Sequence, residues 1–149
     1  MIGSFFIDWA DKDQAQFAII LLELDNLNQI SDDFGKDVGG FLLQQSDKRL
    51  RECMGDQNPM VKLEGNRFAI RLVGVKKKED AFKEAEKILT CIKEPLMFEK
   101  YKFVMGCSVG IALYPEHGRI MQTLIYQADR ALYAVKKSGG GIGWPNLEK

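Results

Sequence analysis

The chain has 149 residues, a length that fits one domain, and its 46% hydrophobic and 28% charged residues are typical of a globular protein. The 21 basic and 21 acidic residues cancel, which argues against a nucleic-acid-binding protein and against membrane attachment through a basic surface. The longest uninterrupted apolar run is residues 17–22, far shorter than the roughly 20 residues that a membrane-spanning helix needs.

The cysteines and the histidine exclude several kinds of site. Cys53, Cys91 and Cys107 lie far apart along the sequence and form neither a disulfide framework nor a Cys-x-x-Cys metal motif. We therefore expect reduced, mostly buried thiols in a cytoplasmic domain. His117 is the single histidine, which excludes a multi-histidine zinc site and argues against a histidine-based catalytic triad.

The first half of the chain predicts two helices around a buried strand. Residues 2–10 place apolar side chains at helical spacing, and residues 17–24 are nearly all apolar, as in a strand covered on both faces. Residues 25–33 form a polar segment with one apolar helical side. Residues 36–54 are the longest helical pattern, and the loop residues 55–59 end it.

A hairpin and a further helix follow. Residues 60–63 and 68–73 predict two short strands joined by a tight turn, in which Gly65 supplies a positive φ. Residues 76–94 predict a helix whose apolar stripe includes Phe82, and Pro95 stops it.

Residues 101–114 alternate cleanly and predict one strand with one face of small residues, to which a helix or a ligand can come close. Residues 121–137 predict the last helix, and short strands are expected near residues 96–98 and 142–144. This order of elements predicts an α+β, ferredoxin-like sandwich. We expect a mixed, mainly antiparallel sheet of about five strands flanked by helices, in a single domain over residues 1–149.

Five stretches of sequence resemble motifs of the GGDEF domains, the diguanylate cyclases. Residues 19–28 (IILLELDNLN) resemble the family's first strand and the turn after it, and residues 31–36 resemble its N-D-x-x-G-H segment. Residues 61–70 (VKLEGNRFAI) stand where the family has R-L-G-G-D-E-F-A-I. Residues 108–115 (SVGIALYP) and 128–136 (ADRALYAVK) match S-x-G-I-A-x-Y-P and A-D-x-A-L-Y-x-A-K. The whole chain thus resembles a degenerate GGDEF domain with a nucleotidyl-cyclase-like fold.

The resemblance implies a definite chemistry and definite metal positions. The family condenses two GTP molecules into cyclic di-GMP, each domain of a facing pair holding one GTP and a carboxylate-bound divalent metal such as Mg²⁺. The family's strand aspartate corresponds to Glu23, and the next metal ligand would be the main-chain carbonyl of Leu24. The signature itself is degenerate, with a neutral amide and a cation at its two acidic positions. It consists of Glu64, Gly65, Asn66, Arg67 and Phe68.

Most positions that touch the nucleotide in the family are also substituted here. The guanine-contacting asparagine corresponds to Ser31, and the guanine-contacting aspartate corresponds to Gly40. The lysine after the first strand is Asn28, whereas the phosphate-binding lysine survives as Lys136. The family's inhibitory product site, R-x-x-D, is replaced by Gly55 and Asn58. The resemblance therefore implies no intact catalytic set and only vestigial nucleotide and metal sites.

Three functions remain open from the sequence. The first is a catalytically inactive regulatory module of bacterial cyclic di-GMP signalling, cut from a longer protein and contacting an EAL phosphodiesterase domain, a sensor domain or a second copy of itself. The second is a domain that binds GTP weakly without turnover. The third is an active diguanylate cyclase with unusual ligands, for which only Glu23 and Lys136 argue. No cofactor is expected unless residual binding of Mg²⁺ and GTP persists, and no contact with nucleic acid or membrane is expected.

The substitution at Arg67 carries its own structural expectation. The hairpin with Asn66 and Arg67 should lie beside the strand that ends near Glu23. A guanidinium fork suits a carboxylate, so we expect Arg67 to contact Glu23 directly or through water. The alternative is that Arg67 points into solvent or toward a partner domain, since successive strand residues face opposite ways.

Overall fold

The computed structural model describes residues 16–146, where strands and helices intermix as the apolar patterns predict. In chain order the elements are β1 (Phe17–Leu24), α1 (Leu27–Phe34), α2 (Lys36–Met54), β2 (Met60–Lys62), β3 (Arg67–Leu72), α3 (Lys78–Lys93), β4 (Leu96–Phe98), β5 (Tyr101–Phe103), β6 (Cys107–Tyr114), α4 (Met121–Lys137) and β7 (Gly141–Gly143). The helix expected over residues 2–10 lies outside the described residues.

The main sheet has five strands in the order β2-β3-β1-β6-β7. All neighbours pair antiparallel except β6 and β7, which pair parallel. Strands β4 and β5 form a separate two-stranded hairpin. The α+β fold with a mixed, mainly antiparallel sheet is therefore confirmed.

Strand β1 forms the centre of the sheet because both of its faces are apolar. Ile20 and Leu22 face a core shared with α1, α2 and α3, while Ile19 and Leu21 face a second core shared with α4. All four side chains are almost completely buried. Burying each one stabilises the fold by about 1.5–3 kcal/mol, so this strand fixes the position of everything at its ends.

The small face predicted on the strand before α4 receives that helix. A Cβ atom added at Gly110 of β6 would lie 2.3 Å from the Ala128 carbonyl oxygen and 2.6 Å from the Leu132 nitrogen of α4. The backbones of β6 and α4 are thus in direct contact, a distance that only glycine permits. A helix, and not a ligand, occupies this face.

The single strand predicted over residues 101–114 is wrong, since the structure breaks it between β5 and β6. Asn26, just before α1, causes the break. Its Nδ2 donates to the Val104 carbonyl at 3.2 Å, and its Oδ1 accepts from the Gly106 N–H at 2.8 Å. These backbone groups are therefore satisfied by a side chain instead of a neighbouring strand.

Phe82 is a second correction. Although the stripe of α3 predicted it in the core, the residue is 38% exposed, whereas Ala81 and Ala85 of the same helix are buried. Position 82 lies about 100° around the helix from its buried neighbour, at the edge of the apolar face.

Among residues 16–146, no helix combines the length and the apolar character that crossing a membrane requires.

Candidate functional site

The candidate site lies where β1 ends beside the hairpin that joins β2 to β3. The Leu24 N–H donates to the Asn66 carbonyl at 2.9 Å, which holds the hairpin against the last residue of β1. In the antiparallel pair of β1 and β3, Glu23 stands opposite Arg67. The hairpin of residues 64–68 therefore lies directly beside the strand carboxylate, as the resemblance implies.

The hairpin has the tight turn that its sequence predicts. The Leu63 N–H donates to the Arg67 carbonyl at 2.9 Å, so only three residues, Glu64, Gly65 and Asn66, form the turn. Gly65 has a φ of 71°, the left-handed conformation that glycine adopts without strain. Phe68 is completely buried in the core. The turn thus forms with Glu64, Gly65 and Asn66 as its three residues.

Four charged side chains meet above this hairpin and form what we call the four-charge cluster: Glu23, Arg67, Asp129 and Lys136. Arg67 Nε lies 3.9 Å from Glu23 Oε1, and Lys136 Nζ lies 2.6 Å from Glu23 Oε2. Arg67 Nη2 also pairs with Asp129 on α4. The contact between Arg67 and Glu23 is thus present. The cluster holds two cations and two carboxylates, so its formal charge is zero.

The cluster is partly solvated. Its side chains range from 24% exposed for Glu23 to 54% exposed for Asp129. Ion pairs at this exposure stabilise a fold by about 0.2–1 kcal/mol each, because water and salt screen them. The main consequence of the cluster is therefore electrostatic, since it supplies Glu23 with positive partners from within the protein.

The residues present do not fit a magnesium site. Mg²⁺ binds oxygen ligands, but both oxygens of Glu23 face cations. Asn66 carries a neutral amide whose Nδ2 donates to Asn28 Oδ1 at 3.2 Å, so it supplies no charged ligand oxygen. Within residues 16–146, no group of three or more His, Cys, Asp or Glu side chains could hold a metal ion.

The other positions that the resemblance assigns to nucleotide contacts lie on α1 and α2. Asn28 is the second residue of α1 and is exposed. Ser31 packs against α2 so closely that a Cβ added at Gly39 would lie 2.7 Å from the Ser31 Cβ. Gly40 is exposed, and an added Cβ there would meet no atom within 4 Å. The guanine positions therefore offer one short hydroxyl side chain and one position without a side chain.

The positions of the family's product site have structural partners. Asn58 Nδ2 donates to the Met54 carbonyl at 2.9 Å, and Asn58 Oδ1 accepts from the Val73 N–H at 3.0 Å. The side chain thereby joins the end of α2 to the residue after β3. Gly55, with a φ of 79°, ends α2. Neither position presents a charge that could hold a phosphate.

Sequence reasoning missed two parts of this region. The sequence pattern was not used to connect Asp129 with Arg67, although Asp129 and Lys136 are seven residues apart and therefore share one flank of α4. Sequence reasoning also overlooked Asp25, whose carboxylate accepts hydrogen bonds from the buried Ser108 hydroxyl at 2.8 and 3.0 Å. The seven-residue spacing between Asp129 and Lys136 was the sequence signal that could have placed Asp129 near the site. Nothing in the sequence pattern connected Asp25 with Ser108.

Cys53 and Cys107 carry no reactive thiolate. Cys53 and Cys91, distant in sequence, are close in space. Burial together with a hydrogen bond to Cys91 raises the pKa of Cys53 to about 12. Burial also raises the pKa of Cys107. These thiols stay protonated at neutral pH and are poor nucleophiles.

Comparison with known sequences identifies the family. A model described as "Diguanylate cyclase, GGDEF domain" matches residues 6–141. The bifunctional diguanylate cyclase/cyclic di-GMP phosphodiesterase MucR of Pseudomonas aeruginosa is 31% identical over 133 residues, which cover 89% of this chain and 19% of MucR. The cyclic di-GMP phosphodiesterase PdeR of Escherichia coli is 30% identical over 129 residues, which cover 87% of this chain and 19% of PdeR. The chain thus spans about a fifth of the length of each relative.

Solved structures agree with this assignment. The GGDEF domain of PA1120 (YfiN or TpbB) from P. aeruginosa superposes with a TM-score of 0.89 at 26% identity, covering 98% of this chain and 92% of that one. An EAL/GGDEF domain protein from M. capsulatus superposes with a TM-score of 0.82 at 29% identity, covering 95% of this chain and 97% of that one. With its sheet order, its signature hairpin and these matches, the chain belongs to the GGDEF domain family of diguanylate cyclases.

Proposed function

We propose that this chain is a catalytically inactive GGDEF domain that acts as a regulatory module in cyclic di-GMP signalling. One observation carries the proposal, namely that Arg67 and Lys136 engage the Glu23 carboxylate on which a catalytic metal would depend. The cation that this carboxylate needs comes from the protein itself.

Electrostatics opposes a metal at this position. Two unit charges about 4 Å apart interact with about 4 kcal/mol at an effective dielectric constant near 20, and a divalent ion doubles that figure. A magnesium ion at Glu23 would meet this repulsion from the Arg67 guanidinium, which is held in place by Asp129 as well. Asn66 adds no charge to offset it.

Guanine recognition is weakened independently of the metal. A side chain that bonds two groups of a base edge is worth about 1–3 kcal/mol of discrimination, and Gly40 has no side chain. Ser31 carries a single hydroxyl and packs against Gly39. Both requirements of the cyclase reaction, the metal and the guanine contacts, are therefore compromised by separate substitutions.

The module would work by contact with another domain. The relatives MucR and PdeR are several times longer than this chain, and their names describe phosphodiesterases. We therefore propose an EAL phosphodiesterase domain or a sensor domain as the neighbour, with a second copy of the domain as a further partner. The fold itself, retained without the catalytic groups, supplies the contact surface.

The test measures turnover and binding together. The purified chain is incubated with GTP and Mg²⁺, and cyclic di-GMP is quantified by chromatography. The active GGEEF domain of a diguanylate cyclase from Vibrio cholerae is the positive control. We expect no cyclic di-GMP, and titration calorimetry with GTP and Mg²⁺ should give no heat of binding. Binding without turnover would instead support the nucleotide-binding alternative, and cyclic di-GMP formation would overturn the proposal.

A further inference from the structure

The outer face of α4 combines aromatic and basic side chains. Tyr126, Arg130, Tyr133 and Lys137 follow the spacing i, i+4, i+7, i+11, which places them in one line along the helix. We call these four residues the α4 stripe. Tyr126 and Tyr133 are 59% and 65% exposed, an unusual exposure for two large aromatic residues on one line.

The stripe is positively charged and internally ordered. Arg130 Cζ lies 5.7 Å from the centre of the Tyr126 ring, and Lys137 Nζ lies 5.4 Å from the centre of the Tyr133 ring. These cation–π contacts restrict the side chains and leave the cations accessible. The single acidic residue of α4, Asp129, is paired with Arg67 and so does not neutralise the stripe.

A cavity that is widely open to solvent adjoins the stripe at Tyr126. It has a volume of about 330 Å³ and lies between α4 and the signature hairpin. Its lining is mainly apolar, and it is formed by Leu21, Leu63, Arg67, Gln122, Ile125, Tyr126 and Asp129. This volume is enough for one large apolar side chain, so the surface offers an anchor pocket next to a row of cations.

We propose that the α4 stripe and this cavity form a docking surface for an acidic polypeptide segment that carries one apolar anchor residue. The proposal rests on the proposed function and names the partner class of the regulatory module. Carboxylates of the segment would meet Arg130 and Lys137, and the anchor would fill the cavity beside Tyr126. A nucleic acid fits less well, because two cations on a chain of zero net charge neutralise few phosphates.

A segment bound at this docking surface would also contact residues of the signature hairpin. Arg67 and Asp129 belong both to the cavity lining and to the four-charge cluster. An anchor residue in the cavity would therefore contact the ion pair that links the hairpin to α4. The docking surface and the former metal position are parts of one continuous surface.

The test titrates the ¹⁵N-labelled chain with a heptapeptide of six glutamates around a central phenylalanine. We expect chemical-shift changes on α4 and on the hairpin, and weaker binding as sodium chloride is raised. The double variant Arg130→Ala/Lys137→Ala should bind at least tenfold more weakly, and so should Tyr126→Ala. The matched control is Lys100→Ala/Tyr101→Ala, which removes a cation–π pair of 5.7 Å at another place and should bind like the parent chain.

Three outcomes would overturn the docking surface. They are the absence of shift changes at millimolar peptide, shift changes centred on another surface, and tighter binding of an eight-residue oligothymidylate than of the peptide. A heptapeptide with serine in place of the phenylalanine should bind more weakly, and equal binding would contradict the anchor pocket. Cyclic di-GMP synthesis would refute the inactive module without altering the peptide map, so the two failures are distinguishable.

Discussion

Glu23 and Arg67 stand opposite each other on antiparallel strands, and Arg67 Nε lies 3.9 Å from Glu23 Oε1. Residues opposite each other in such a pair have Cβ atoms only about 4.5–5.5 Å apart. A basic residue at this one hairpin position therefore places its charge on the strand carboxylate without any change of backbone. Through the register of the sheet, this one position sets a guanidinium opposite the carboxylate on which, in our proposal, a metal would depend.

The Arg67–Asp129 pair should contribute little to stability. We expect a double-mutant cycle with Arg67→Met and Asp129→Asn to give a coupling free energy of about 0.2–1 kcal/mol, because both side chains are partly exposed. Urea denaturation measures it. The exposed Arg51–Asp47 pair of α2, at 2.8 Å, is the matched control, with an expected coupling of about 0.3–0.5 kcal/mol. A coupling above about 2 kcal/mol would show that the cluster behaves as a buried network.

Restoring the signature acids should return metal binding without full activity. Asn66→Asp with Arg67→Glu removes one of the two cations beside Glu23, leaves Lys136 in place and adds two carboxylates, so calorimetry should detect stronger Mg²⁺ binding than for the parent chain. Cyclic di-GMP synthesis should stay far below that of the active Vibrio cholerae domain, since Ser31 and Gly40 still lack the guanine contacts. Adding Ser31→Asn and Gly40→Asp should raise it. Full activity from the first pair alone would show that these two positions matter less than we propose.

The apolar periodicity predicted most of the fold, because the burial of apolar side chains determines where the strands and helices form. Residues 17–24, apolar on both faces, could only be a central strand, and Gly65 could only sit at a turn. The break between β5 and β6 was not predictable in this way. It depends on the Asn26 side chain, which is distant in sequence and adds no signal to the alternating pattern of residues 101–114.

The sequence was enough to predict which residues lie at the candidate site, but not which of them form ion pairs with one another. Aligned motifs located Glu23, Arg67 and Lys136, and adjacent strands implied that Arg67 lies near Glu23. The pairing of Lys136 with Glu23 and of Asp129 with Arg67 depends on how α4 is rotated against the sheet. That rotation is fixed by the close contact at Gly110, which a pattern of small residues suggests without giving its angle.

Substitution by alanine should destabilise the fold at Gly110 but not at Gly40. In Gly110→Ala the new methyl group would lie 2.3 Å from the Ala128 carbonyl, so β6 or α4 must move, at a cost of about 1–3 kcal/mol or more. Gly40→Ala meets no atom within 4 Å and lies inside α2, so the better helix propensity of alanine should stabilise the fold by about 0.5–1 kcal/mol. Thermal and urea unfolding of the two variants measure the difference, and equal effects would contradict the close packing of α4 on β6.

Stability should fall as the solution becomes acidic, in part because of His117. This residue is buried, and its Nδ1 accepts a hydrogen bond from the Leu113 N–H at 2.8 Å, so it is neutral in the fold. Burial lowers the pKa of His117 below its usual 6.5, an effect that nearby Lys78 strengthens and Glu116 opposes. Since the unfolded chain takes up the proton first, the contribution is complete above pH 6.5. It is lost as the pH falls from there through the lower pKa of the folded state.

The free energy of unfolding, measured in urea between pH 7.5 and 5, should therefore decline less steeply for His117→Asn than for the parent chain. Parallel declines would assign the acid sensitivity to the carboxylates instead.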